Sequence, residues 1–226
     1  MTNIGISTRG LGRLGARGAT LLLALVTATV GPATAASAIT QDEIREDVES
    51  AESAVDEFWD SHWSETFTGS YSAPGVIGIY DGTDPSDTPS CGGVPLAVDN
   101  AYYCGWGDFI AYDEGLLDRS DDLGDAFLYL VVSHEWGHAI QARLDPSLVA
   151  RRLELQADCL AGAALYGAAD DGTLEFDSDD QEELSDSLEA LADNTPWTDT
   201  SDHGDASERI QAFSIGRDEG VTGCLP

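Results

Sequence analysis

The segment Asp125–Leu144, DAFLYLVVSHEWGHAIQARL, constrains the fold of this chain more than any other. It is almost wholly apolar up to Ser133, which predicts a central buried helix, and Pro146 marks its end. This helix also carries His134, Glu135 and His138. Histidines at i and i+4 share one helical face, close enough for both rings to reach a single metal ion. Buried imidazoles left without a partner or a metal would be costly, so the apolar context argues for a metal site over two surface histidines. Gly137 fits the same reading, because a small residue lets another chain segment or the ion approach closely.

Zinc accepts imidazole nitrogens and keeps a position open for water when a protein supplies three ligands. Bound to zinc, water has a pKa of roughly 7, and Glu135, beside the first histidine, is placed to take its proton. The third ligand must come from elsewhere. Glu154 lies 16 residues after His138, at the start of Glu154-Leu155-Gln156-Ala157-Asp158. A helical hairpin of that length would return it opposite the histidines. Asp158, one turn later on the same face, could accept the second ring N–H of a ligand histidine, the outer partner that metal-bound imidazoles require. His203 is the other candidate, either as third ligand in place of Glu154 or as a donor to the oxyanion formed when water attacks a carbonyl. Spacing alone does not choose between these roles, nor does it exclude an exposed helix-capping histidine. His62, near Trp59 and Trp63, reads as structural or exposed.

The rest of the chain frames this site. Residues 1–38 read as a secretory signal peptide. Arg9, Arg13 and Arg17 precede the apolar run from Ala19 to Val30, with small-residue cleavage sites after Ala35 or Ala38. That run is short of the roughly 20 residues a spanning helix needs, so no stable membrane insertion is expected after cleavage. Residues 39–226 are then expected to form one secreted domain. The formal net charge is −32, every acidic residue follows residue 38, and lysine is absent. Such a surface should repel nucleic acid and anionic membranes. Cys91, Cys104, Cys159 and Cys224 suggest two disulfides in an exported chain, with three connectivities open, and no pair has zinc-site CxxC spacing.

Apolar residues at helical spacing predict a helix from Thr40 to about Phe67, opened by a capping box of Thr40 and Glu43. Short strands are expected at Val76–Tyr80, Pro95–Val98 and Asp108–Tyr112, between turns rich in Gly, Pro, Ser and Asp. Helices are expected from Ser147 to about Ala169, from Ser178 to about Ala192 with Gln181 completing a capping box, and from Gly204 to about Glu219. The Asp-rich stretch from Asp170 to Asp180 lacks EF-hand spacing and reads as a loop leading to an N-cap.

His-Glu-Trp-Gly-His followed by Glu-Leu-Gln-Ala-Asp-Cys (154–159), with His203-Gly204 and Arg209 later, resembles the bacterial neutral zinc metallopeptidases. Their pattern is HExGH, then ELQADC, then a late HG…R segment. The likeness runs from about Ala101 to Cys224, and Tyr103-Cys104 and Tyr112-Asp113 look like that family's strand and loop ahead of the catalytic helix. The pattern is also similar to the prenyl-protein and heat-shock membrane metalloproteases, where a Glu ligand is followed four residues on by Asp and a His-x5-Arg step supplies a transition-state donor. The resemblance implies one Zn2+ ion held by His134, His138 and Glu154, with Glu135 as base. It makes His203 the oxyanion donor, with Arg209 orienting it or lending positive charge, and it pairs Cys159 with Cys224.

The expectation is therefore a mostly helical α+β, zincin-like domain with a small sheet ahead of the catalytic helix. Its expected activity is hydrolysis of peptide bonds in a protein or peptide substrate. A zinc amide hydrolase acting on a non-protein substrate such as cell wall is the first alternative. A non-catalytic secreted module with a structural metal is the second.

Overall fold

Ile44, Val48, Ala51, Val55, Trp59 and Trp63 recur on one side of helix α1 (Gln41–Thr66), and all are buried. The computed structural model describes residues 39–199 and 202–226, so the expected leader and its cleavage site lie outside the described residues. Helix α1 opens with the capping box expected from Thr40 and Glu43, each side chain bonding the other's backbone N–H.

The Gly- and Pro-rich stretch that follows holds strands β1 (Gly75–Tyr80), β2 (Ser90–Cys91), β3 (Val94–Pro95), β4 (Ala101–Cys104) and β5 (Phe109–Asp113). Three of them form a sheet in the order β1-β5-β4, with β5 parallel to β1 and antiparallel to β4. The strand expected at Pro95–Val98 is reduced to the two-residue β3, paired only with β2. The sheet strand in that region is instead β4, whose outer edge is left unpaired by the sheet order.

Two short helices, α2 (Glu114–Leu117) and α3 (Ser120–Leu123), lead into α4 (Ala126–Gln141). Helix α4 is buried on nearly every side, as its apolar sequence requires; Phe127, Leu128, Leu130, Val132, Ala139 and Ile140 are wholly inaccessible. It shares one main core with α1 and with α5 (Leu153–Asp171). The second expected helix starts later than Ser147. Pro146–Leu148 forms a 3-10 turn, and the chain stays irregular until Leu153 because Asp145 caps that turn by accepting from Ser147 N–H. Gln156 holds the irregular stretch to α5, donating to the Leu148 carbonyl and accepting from Ala150 N–H.

The capping box expected at Ser178 is absent. Helix α6 (Asp180–Ala190) begins two residues later with Asp179 at its N-cap and no side-chain cap, Ser178 bonding the Asp179 carboxylate instead. The last helix, α7 (Ala206–Gly223), starts after Gly204 because Asp205 and Glu208 form its capping box. The chain is thus mostly helical with a small sheet, an α+β arrangement.

Two close approaches fix how the site's helices cross. A Cβ on Gly137 of α4 would meet the Ala157 backbone of α5, its oxygen at 2.9 Å and its Cα at 3.0 Å. Gly216 of α7 likewise lies against the Cys159 carbonyl of α5, where a side chain could not fit. Helix α7 is tied to α5 by the Cys159–Cys224 disulfide, while Cys91–Cys104 joins β2 to β4. Two disulfides and no free cysteine among the described residues suit an oxidising, extracellular type of environment. No described helix is long and apolar enough to cross a membrane. Replacing Cys159 and Cys224 with alanine is expected to lower unfolding free energy by about 2–4 kcal/mol, because the bridge closes a long loop in the unfolded chain. Urea denaturation of the variant checks this, and an unchanged midpoint would mean that α7 docks without the bridge.

Candidate metal centre

His134 and His138 face the same way from α4, their rings edge to face with centroids 4.8 Å apart. Glu154, in the first turn of α5, comes back opposite them. Its Oε2 lies 3.2 Å from Nε2 of each histidine. One ligand atom from each of His134, His138 and Glu154 lies within 4.8 Å of the others, a group that could hold a metal ion.

The outer nitrogens of both rings are fixed. His134 Nδ1 donates to Asp158 Oδ1 at 2.8 Å, the contact expected of Asp158. His138 Nδ1 donates at 2.9 Å to Gln141 Oε1, and the Gln141 amide is held in turn by the Leu153 carbonyl and Gln156. Both Nε2 atoms are thereby aimed at Glu154, the arrangement that metal-bound imidazoles need from their surroundings. Gln141 carries no signal in the sequence, because a glutamine one turn past a histidine is ordinary on any helix.

Arg209, to which the resemblance gives the part of orienting His203 or lending positive charge, makes its hydrogen bonds elsewhere. Its guanidinium is buried and forks onto Asp158, with Nε to Oδ2 at 2.8 Å and Nη2 to Oδ1 at 2.7 Å. Its remaining bond is to the Leu191 carbonyl, so its hydrogen bonds go to Asp158 and Leu191 rather than to His203. Arg209 therefore acts on His134 through Asp158. The physical reason is that Asp158 is wholly buried and its charge needs a partner.

His203 stands at the edge of the group. Its Nε2 is 3.6 Å from Glu154 Oε2 and its side chain is 45% exposed, against 9% for His134. The segment bearing it is held by Asp193, whose carboxylate accepts from His203 N–H at 2.8 Å and from Gly204 N–H at 3.3 Å. His62 is remote from this centre: it stacks on Phe58 and pairs with Asp171 and Glu65.

The carboxylates of Glu154 and Asp158 make the cluster a place where positive charge is favoured. Burial opposes charge on His134, yet hydrogen bonds to Asp158 and Glu154 prevail and push it up to about 10. Burial opposes it at His138 too, and the bond to Glu154 again raises the imidazole. Burial would raise the Glu154 carboxyl, but His134 and His138 hold it far below the usual range. Asp158, also buried, is kept down at about 2 by Arg209 and His134. Metal binding at such donors requires neutral imidazoles and an ionised carboxylate, so it would compete with protonation.

Glu135 accompanies His134 at the junction of two cavities. One is a cleft of about 630 Å³ running between β4, at Ala101, Tyr102 and Tyr103, and the His134–His138–Glu154 group. The other, about 110 Å³, is lined by His134 and Glu135 as well and is walled partly by Leu130, Val131 and Leu191. His203 borders both.

Comparison with protein-family models, with curated proteins and with solved structures finds no match in any of the three. The resemblance seen in HEWGH and ELQADC thus stands on those residues alone.

Proposed function

We propose that this chain is a secreted zinc-dependent metallopeptidase of zincin-like fold, related to the bacterial neutral zinc metallopeptidases that its motifs resemble. The observation carrying this reading is the convergence of His134, His138 and Glu154 on a cleft that Glu135 also lines. Two imidazoles and one carboxylate, with outer ring nitrogens already anchored, match the donor set of catalytic zinc. Such an ion would supply Lewis-acid polarisation of a carbonyl and acidify bound water.

The chain's own residues account for the rest of the proposed chemistry. Glu135 takes the proton of the attacking water and delivers it to the leaving amine. His203, which lines the same cleft, donates to the oxyanion that develops on the carbonyl. Arg209 and Asp158 keep the His134 ring in its tautomer, and Gln141 does so for His138. The unpaired outer edge of β4 along the cleft favours a peptide over a non-peptide amide, since an extended chain can add there as a further strand.

Metal analysis of purified variants tests the ligand set. Glu154→Ala is expected to lose the ion, whereas His203→Ala should keep it and lose about 10²–10³-fold in kcat. The reverse pattern would move His203 into the ligand set and Glu154 out of it. Digestion of a peptide library by the metal-loaded chain tests the activity, and the absence of any chelator-sensitive cleavage would overturn it.

A further inference from the structure

We propose that Arg119 makes the small cavity beside Glu135 selective for a carboxylate. The peptide residue seated there would then be acidic, or would carry the terminal carboxylate of its chain. This rests on the hydrolase reading above and adds a substrate class to it.

Among the described residues, Arg45, Arg143, Arg152, Arg209 and Arg217 each form an ion pair with a carboxylate. The exposed Arg151 forms none, and neither does Arg119, although the chain carries 42 acidic residues. Arg119 is half-buried on the wall of the cavity that His134, Glu135 and His203 also line. Its guanidinium spends one N–H on the Ala190 carbonyl, at 3.2 Å, and sits 5.9 Å from the Phe127 ring centroid. A guanidinium is charged at every working pH, and partial burial without a counter-ion leaves its remaining donors aimed at no anion. Arg209 borders the same cavity, but its charge is already taken by Asp158. Asp99 and Glu135 border it as well, so without Arg119 the local field would reject an anion. A carboxylate on a short apolar stem would meet the leucine and valine wall with its methylenes. Its oxygens could then accept a forked pair of N–H bonds from Arg119.

The test uses the full metal-loaded chain at fixed ionic strength and three matched peptides. Two are amidated and differ only in Glu against Gln at the position after the scissile bond. The third has Gln there and ends on a free carboxylate. The Glu/Gln ratio of kcat/KM, or the free-acid/amide ratio, is expected to be about tenfold or more. Arg119→Gln should bring that ratio close to one, and Arg119→Lys should keep part of it. Because each ratio is taken within one preparation, a change in folded fraction cancels. Preference for Glu identifies a side-chain carboxylate, and preference for the free acid identifies a chain terminus. A ratio near one in the wild type, or a ratio that survives Arg119→Gln, overturns the inference while the hydrolase reading stands. Cleavage of none of these peptides, nor of any library member, overturns both.

Discussion

Replacing Glu135 with glutamine is expected to lower kcat/KM for peptide hydrolysis by about 10³-fold while leaving one metal ion per chain. The magnitude is that of a positioned proton acceptor in the transition state. Glutamine keeps the size and polarity of the side chain but cannot take a proton. Metal retention follows because the ligand group is His134, His138 and Glu154, to which Glu135 contributes no atom. Metal content and steady-state kinetics on one preparation check both halves. Full activity in the variant would remove Glu135 from the chemistry, and loss of metal would place its carboxylate among the ligands.

The largest stability effect is expected at Asp158. Its carboxylate binds the Arg209 fork and His134 Nδ1 together, and Asp158 and Arg209 are both buried. Asp158→Leu strands the Arg209 charge in the interior, at a cost of about 3–5 kcal/mol. The same change frees the His134 ring and should weaken metal binding by about 10–100-fold. Adding Arg209→Met to Asp158→Leu removes the stranded charge and should restore most of the stability, yet it cannot restore the ring's partner. Denaturation and metal titration of the single and double variants therefore separate the two duties. If the double variant regained full affinity as well, Asp158 would have no orienting role.

Much of this arrangement was legible in the sequence wherever local chemistry and tertiary packing agree. The Thr40 capping box, the buried helix of HEWGH and the return of Glu154 opposite the histidines each follow from spacing and burial, and all appear in the fold. What could not be read depends on partners distant in sequence. Ser147 looks like a helix start until Asp145 and Gln156 tie up the neighbouring backbone in another way. Strand β4 is too short to show in periodicity, only the likeness at Tyr103-Cys104 pointing to it, and it forms by pairing with β5. The resemblance has Arg209 orienting His203 or lending positive charge, while its fork onto the wholly buried Asp158 carboxylate has no local signal in the sequence. Gln141 and Asp193 carry no pattern of their own, because their significance lies in the rings and backbone they hold.

The contact between Gly137 and Ala157 bears on which ions the group can discriminate. Main chain touches main chain there, so the two ligand-bearing helices are already at their nearest approach. Choice among ions is then left to the donors themselves. Two imidazoles and one carboxylate suit a small tetrahedral cation, while calcium takes six to eight oxygen ligands, which this group does not supply.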